Sequence, residues 1–249
     1  MASATRFLLL QVRPEAVPRE QEAASMRAAT GLGDRLDTLR VDVDPLPSDV
    51  FDRYAGFLAG GSPFNVSDAE AGKSDAQRAA EERLTTIAAG ALERDRPAFF
   101  TCYGIGLVTR LLGGTVDRTH PERVSAVEDR LTGAGVADPV AGVLPQRFRV
   151  LTGHKESAPE PPPGSVLLAT NDVSPVQLYR VGEVLASQFH PEPTTTEFTA
   201  RARAYQSYGY FPPEEFDEIA AAVHGAEVTL PRLLLTRFVE RAELLAASR

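Results

Sequence analysis

One cysteine, four histidines and a well-placed carboxylate carry the nucleophilic chemistry this sequence can offer. Cys102 closes the apolar run 97-PAFFTC-102 and is followed at once by Tyr103-Gly104-Ile105-Gly106. A thiol at a strand end, ahead of glycines and a helix, has the context of a nucleophile elbow, where glycine permits a tight turn and close backbone approach. The helix that follows would aim its positive end at the sulfur and favour thiolate. The plainer reading is a small core residue, since free cysteine is among the most buried residue types. A base elsewhere in the chain decides between them.

The four histidines differ in context. His224 precedes Gly225 at an expected helix end, where it serves the C-terminal dipole. His120 sits before Pro121 in a charged loop and reads as solvated, and His154, within 152-TGHKES-157, either lines a site or plays a structural part. His190 closes the apolar run 184-VLASQF-189 and is followed by Pro191 and Glu192. It therefore stands at a strand end, where function collects in open α/β sheets. Glu192 is near enough to orient the imidazole so that its other nitrogen takes the thiol proton. The candidate set is Cys102, His190 and Glu192.

The elements that must position these residues alternate strand and helix. Residues 7–12 read as a first strand, 18–33 as a helix stopped at Gly31 or Gly33, and 36–44 as a half-buried strand with Leu39, Val41 and Val43 on one face. The run 55-AGFLAGGSPF-64 is a strand that breaks into a glycine loop. Between 74 and 94, Leu84, Ile87, Ala88, Ala91 and Leu92 share one helical face. Residues 97–102 form the next strand and 105–114 the next helix. The nearly all-apolar strands argue for a parallel sheet covered on both faces. From 115 to 190 short strands follow at 143–151, 166–170, 176–180 and 184–189, with 158-APEPPPGS-165 as a loop. Helices close the chain, the first capped by Thr194 and Glu197, then 213–224 and 231–246.

Composition narrows the function classes. The chain has 249 residues and a net charge of -8, and of its 26 basic residues only Lys73 and Lys155 are lysines. No basic face suggests nucleic acid. One cysteine forms no intrachain disulfide, and the short N-terminal apolar run is too brief to span a membrane, so a soluble cytoplasmic protein is expected. Four dispersed histidines and one cysteine offer no metal-ligand spacing, and no nucleotide-binding motif occurs, so neither metal nor cofactor is expected.

With these residues in place, the sequence resembles the class I glutamine amidotransferases of the triad type. That family carries a Gly-Gly-Pro or similar loop after a strand, a Gly-x-Cys-x-Gly elbow and a Gln-Phe-His-Pro-Glu segment. Here they look like 60-GGSP-63, 101-TCYG-104 and 188-QFHPE-192, in the family's order. Residues 138–157 and 162–180 are similar to the middle of stand-alone, GMP-synthase-like amidotransferases, so the likeness covers about 7–210. It implies one domain over 1–249, with its core at about 7–210 and a C-terminal helical extension at 211–249. The implied fold is α/β, flavodoxin-like and three-layered: an open, mostly parallel sheet flanked by helices, with an additional small mixed or antiparallel sheet.

The resemblance also implies a reaction. Cys102 attacks the side-chain amide of glutamine, or a similar γ-glutamyl amide, to give a thioester. His190 protonates the departing ammonia and later activates water, with Glu192 orienting it. Backbone amides of Gly61, in the loop begun by Gly60, and of Tyr103 meet the charge on the carbonyl oxygen. Two departures stand out. Thr101 occupies a position where the family usually has glycine, and Gly106 one where it commonly has a glutamine that helps to hold substrate. Glutamine recognition then comes from elsewhere, or the substrate is not free glutamine. No ATP-binding P-loop is present, so ammonia would pass to a partner synthetase. The alternatives are a free-standing γ-glutamyl amide or peptide hydrolase and a non-catalytic regulatory module of the same fold.

Overall fold

Strand β1 (Phe7–Gln11) is buried on both faces, which its sequence FLLLQ requires: Phe7 and Leu9 point into one apolar cluster, Leu8 and Leu10 into another. The computed structural model describes residues 5–248. Helix α1 (Ala16–Thr30) ends where expected, at Gly31 in the left-handed region with φ 69°, its amide closing on Arg27 O. Strand β2 (Leu36–Arg40), short helix α2 (Val50–Arg53), β3 (Gly56–Ala59), α3 (Asp75–Glu93), β4 (Ala98–Thr101) and α4 (Tyr103–Leu111) complete the first half. The second strand is shorter than its alternation suggests. The chain turns after Arg40, burying Val41 and leaving Val43 56% exposed.

The second half contains β5 (Glu122–Leu131), short helix α5 (Gly133–Ala137), β6 (Arg147–His154), β7 (Val166–Thr170), β8 (Leu178–Val181) and β9 (Val184–Ser187). Helices α6 (Thr195–Ala204), α7 (Phe216–His224) and α8 (Arg232–Ala247) follow. The strands form a sheet of order β2-β1-β3-β4-β9-β8-β7-β5-β6. The first five are mutually parallel, while β8, β7, β5 and β6 run antiparallel to their neighbours. The antiparallel part expected as an additional small sheet is therefore continuous with the parallel one, joined where β9 pairs with β4 on one side and β8 on the other.

Helices α1 and α8 cover one face through Met26, Leu234 and Phe238, while α3 and α4 cover the other through Leu84, Ile87, Ile105 and Val108. Among the described residues no helix is long and apolar enough to cross a membrane.

Strand β5 was not foreseen, for a physical reason. Its inward positions carry Glu122 and Asp129, both buried, in place of a clean apolar alternation. Glu122 is held by His154 Nε2 at 2.7 Å, Gln177 at 2.7 Å and Asn171 at 2.9 Å, and Asn171 also donates to Asp129 at 2.9 Å. Burial, reinforced by the Glu122 charge, pushes the Asp129 carboxyl well above the usual range. A local pattern cannot show that these acids find partners on three other segments.

Candidate active site

The carboxyl ends of four neighbouring parallel strands deliver the functional side chains to one edge of the sheet. Beyond β1 stands Arg13, beyond β3 the loop 60-GGSP-63, beyond β4 Cys102, and beyond β9 Gln188 and His190. The order reverses between β1 and β3, the topological switch point at which open α/β sheets bind ligands. Cys102, His190, Arg13 and Ser62 line one cleft there.

Cys102 takes the strain of the corner itself. Its φ is 51° and ψ -100°, a conformation L-residues rarely adopt. Its amide donates to Ser187 O at 2.7 Å, and helix α4 begins with the very next residue. The glycines therefore do not make the turn. Gly104 is needed because a Cβ there would lie 2.9 Å from Phe100 Cβ, so only glycine lets α4 fold back onto β4. Thr101 is fully buried and donates from Oγ1 to Ala59 O at 2.9 Å, tying β4 to β3 beside the thiol.

His190 and Glu192 are brought together as expected, and a third residue joins them. The His190 Nδ1–H donates to Glu192 Oε1 at 3.1 Å, and Arg201 Nη1 donates to the same oxygen at 2.6 Å. Burial alone would push the imidazole down, but the Glu192 carboxylate and the facing Cys102 overcome it, and His190 is pushed up to about 9. Burial would likewise raise the Glu192 carboxyl; His190 and Arg201 together hold it well below the usual range. The arrangement leaves Nε2 of a protonated imidazole for the thiol. A thiol, an imidazole and a carboxylate in this order are the parts of nucleophilic acyl transfer.

The glycine loop is packed against the same groups. A Cβ on Gly60 would fall 2.3 Å from the Glu22 carboxyl, and one on Gly61 would fall 2.8 Å from His190 Cε1 and 2.9 Å from Arg13 Nη2. Glu22 is buried because Arg13 donates to it at 2.7 Å, so the pair braces the loop from below. The amides of Gly61 and of Tyr103, at the start of α4, have no backbone partner among the described residues. The Tyr103 side chain points elsewhere, donating to Glu81 at 2.9 Å.

Cys102 borders two recesses. One, partly open to solvent, is lined by His190, Phe198, Arg201, Tyr205 and Phe211. The other is lined by Phe64, Asn65, Lys155, Glu156 and Gln188. Tyr210 borders both and donates to Ser62 O at 3.4 Å, while Lys155 holds the Tyr208 carbonyl at 3.2 Å. Gly106 lines neither. It lies one turn into α4, where a Cβ would meet Val66 Cγ2 at 3.1 Å and Val116 at 3.7 Å, so valines occupy the space a longer side chain would need.

The other histidines are engaged elsewhere. His154 borders the second recess, but its ring is spent on Glu122 and on Glu156 O. His224 ends α7 and bonds Thr199 Oγ1 at 2.7 Å, and His120 Nδ1 lies 2.9 Å from Val173 O. Sequence reasoning missed Arg13 and Arg201. A signal for Arg201 existed: it follows Phe198 by three residues and precedes Ala202, a charge set on the buried face of α6. No cluster of three or more His, Cys, Asp or Glu side chains among the described residues is placed to hold a metal.

The chain has counterparts among known proteins. Residues 39–204 match the family model described as glutamine amidotransferase class-I. Over 117 residues the chain is 31% identical to a glutamine-hydrolysing GMP synthase of Aeropyrum pernix, covering 47% of this chain and 22% of that protein. Over 103 residues it is 35% identical to the corresponding enzyme of Thermomicrobium roseum, covering 41% and 19%. The matched part is thus about a fifth of those relatives' length. Among solved structures, a glutamine amidotransferase of Thermotoga maritima superposes with a TM-score of 0.74 at 15% identity, over 96% of this chain and 99% of that one. A glutamine amidotransferase of Methylobacillus flagellatus gives 0.69 at 17%, over 97% and 95%, a likeness of fold.

Proposed function

This chain belongs to the class I glutamine amidotransferase family, and from that premise we propose that it hydrolyses the γ-amide of glutamine through a thioester on Cys102. The observation that carries the reading is the convergence of a thiol at a strained strand-to-helix corner with an imidazole whose far nitrogen is held by a buried carboxylate. The Cys102 thiolate adds to the γ-carbonyl carbon. The oxygen that becomes negative is met by the amides of Gly61 and Tyr103. His190 passes its proton to the nitrogen as the C–N bond breaks, and ammonia leaves. The neutral imidazole then takes a proton from water, hydroxide cleaves the thioester, and glutamate and the ion pair return. Glu192 keeps the ring in register throughout and Arg201 keeps Glu192 charged.

The similarity to glutamine-hydrolysing GMP synthases supports a synthetase partner as the acceptor of ammonia. A second reading, a free-standing γ-glutamyl amide hydrolase, is favoured by Gly106, whose place under Val66 leaves no side chain there for glutamine. Both readings share the acyl-enzyme and the residues that form it. The regulatory-module alternative leaves the strain at Cys102 without a purpose.

Two outcomes follow. With glutamine, glutamate and ammonia are expected in equal amounts, and hydroxylamine should divert the acyl-enzyme to γ-glutamyl hydroxamate. Glutamate without any hydroxamate would argue against a thioester. The second concerns pH. His190 must be protonated to expel the nitrogen, and its acid form persists to about pH 9 because Glu192 and Cys102 stabilise it. The rate kcat/KM should therefore hold through pH 8 and fall above about 9, whereas an unpaired imidazole would lose its proton near its ordinary value of about 6.5. An alkaline limb centred near that lower value would refute the ion-pair assignment.

A further inference from the structure

Arg201 has more donors than the chain uses. Nη1 serves Glu192, while Nε and Nη2 are buried and have no partner among the described residues. The residue is 3% exposed. Those two nitrogens form the side-on edge of the guanidinium, whose parallel N–H bonds match the two oxygens of a carboxylate. Elsewhere in this chain the same edge is used in that way. Arg180 sets Nε and Nη2 on Asp138 at 2.6 and 2.9 Å, and Arg241 sets the same pair on Glu183. A buried donor without an acceptor is costly, so an unpaired fork on a residue that lines the cleft calls for an acceptor.

Its position says which part of a substrate that acceptor is. Arg201 lines the recess that contains His190, whereas Lys155 and Gln188 line the second recess that Cys102 borders. His190 delivers the proton to the departing nitrogen, so its recess receives the leaving group and the second one receives the acyl half. Ammonia needs neither a fork nor the apolar wall of Val124, Phe198 and Phe211. An α-amino acid joined through its nitrogen carries a carboxylate one carbon away, with oxygens about 3 Å from that nitrogen. It also brings a side chain to an apolar wall.

We propose that this wall is a leaving-group subsite in which the Nε/Nη2 edge of Arg201 binds a carboxylate. The preferred substrates are then γ-glutamyl amides whose amine is an amino acid. The bonds made and broken are those already described, with the amino acid in place of ammonia: His190 protonates its nitrogen as the amide C–N bond breaks, and water later releases glutamate. The proposal rests on the acyl chemistry assigned to Cys102, and glutamine serves as the control for that chemistry.

The test uses two probes that share the acyl half, γ-glutamylglycine and γ-glutamyl methylamide, which differ in the leaving-group carboxylate. For the unaltered protein, kcat/KM should favour the glycine compound by about tenfold or more, the scale set by a bidentate guanidinium–carboxylate pair. Arg201→Gln slows both probes, because Arg201 also holds Glu192, but brings their ratio close to one. Arg201→Lys keeps a charge beside Glu192 without the fork, so it should preserve more methylamide turnover while still losing the ratio. The ratio within each protein cancels the effect on Glu192, which a purely structural role would leave unchanged. Glutamine turnover with no preference between the probes overturns the subsite alone. No turnover of all three compounds overturns it together with the reading on which it rests.

Discussion

Cys102→Ala is expected to lower glutamine hydrolysis by roughly 10⁴-fold or more, the loss typical when a covalent nucleophile is deleted. The companion variant Cys102→Gly makes the result diagnostic, because it should be equally inactive and yet more stable. At φ 51° and ψ -100° the residue sits where a Cβ is strained, a cost of about 1–3 kcal/mol that glycine relieves. A cysteine that merely filled the core would behave in the opposite way: removing its side chain would leave a cavity and destabilise the fold. Urea unfolding of the three proteins, alongside ammonia release, reads both effects. A glycine variant that is less stable than the parent, or an alanine variant that still turns over glutamine, would remove Cys102 from the centre of the mechanism.

The second large effect is expected at Glu192. The carboxylate is fully buried between two cations, accepting from His190 at 3.1 Å and from Arg201 at 2.6 Å on one oxygen. Glu192→Gln strands the Arg201 guanidinium without a counter-charge in a site only 4% exposed, and breaking a buried pair in this way costs about 3–5 kcal/mol. It also removes the group that raises His190, so the alkaline limb should move down from about pH 9 while the rate falls by roughly 10²–10⁴-fold. The double variant Glu192→Gln with Arg201→Met separates the two consequences. It should recover much of the stability, since no charge is then left unpaired, and none of the rate. If the double variant regains activity as well, the carboxylate acts only as a structural counter-ion.

How much of this was legible in the chain depends on the range of the forces involved. Strands β1, β3 and β4 and helices α1 and α3 follow from local pattern: unbroken apolar runs of strand length, a glycine stop at Gly31, and the apolar face of Leu84, Ile87, Ala88 and Ala91, all buried in α3. The capping box at Thr194 and Glu197 was legible for the same reason, since both bonds lie within four residues. The limits of β2 were not, because Val41 and Val43 continue the alternation while the backbone turns. Strand β5 escaped because its buried acids, Glu122 and Asp129, are tolerated only through side chains more than thirty residues away.

The candidate site divides along the same line. The amino-acid sequence by itself determined the chemical types and their stations: a thiol, an imidazole and a carboxylate at the ends of apolar runs, two of them only two residues apart. That follows because strand ends and turns are set by neighbouring residues. Tertiary structure alone decided that parallel pairing of β4 with β9 brings Cys102 beside His190. It also decided that Arg201 turns inward to share Glu192, that the strain falls on the cysteine and not on a glycine, and that Val66 fills the space over Gly106. Each of these is a contact between segments far apart in the chain, held by burial and charge pairing, which no local spacing encodes.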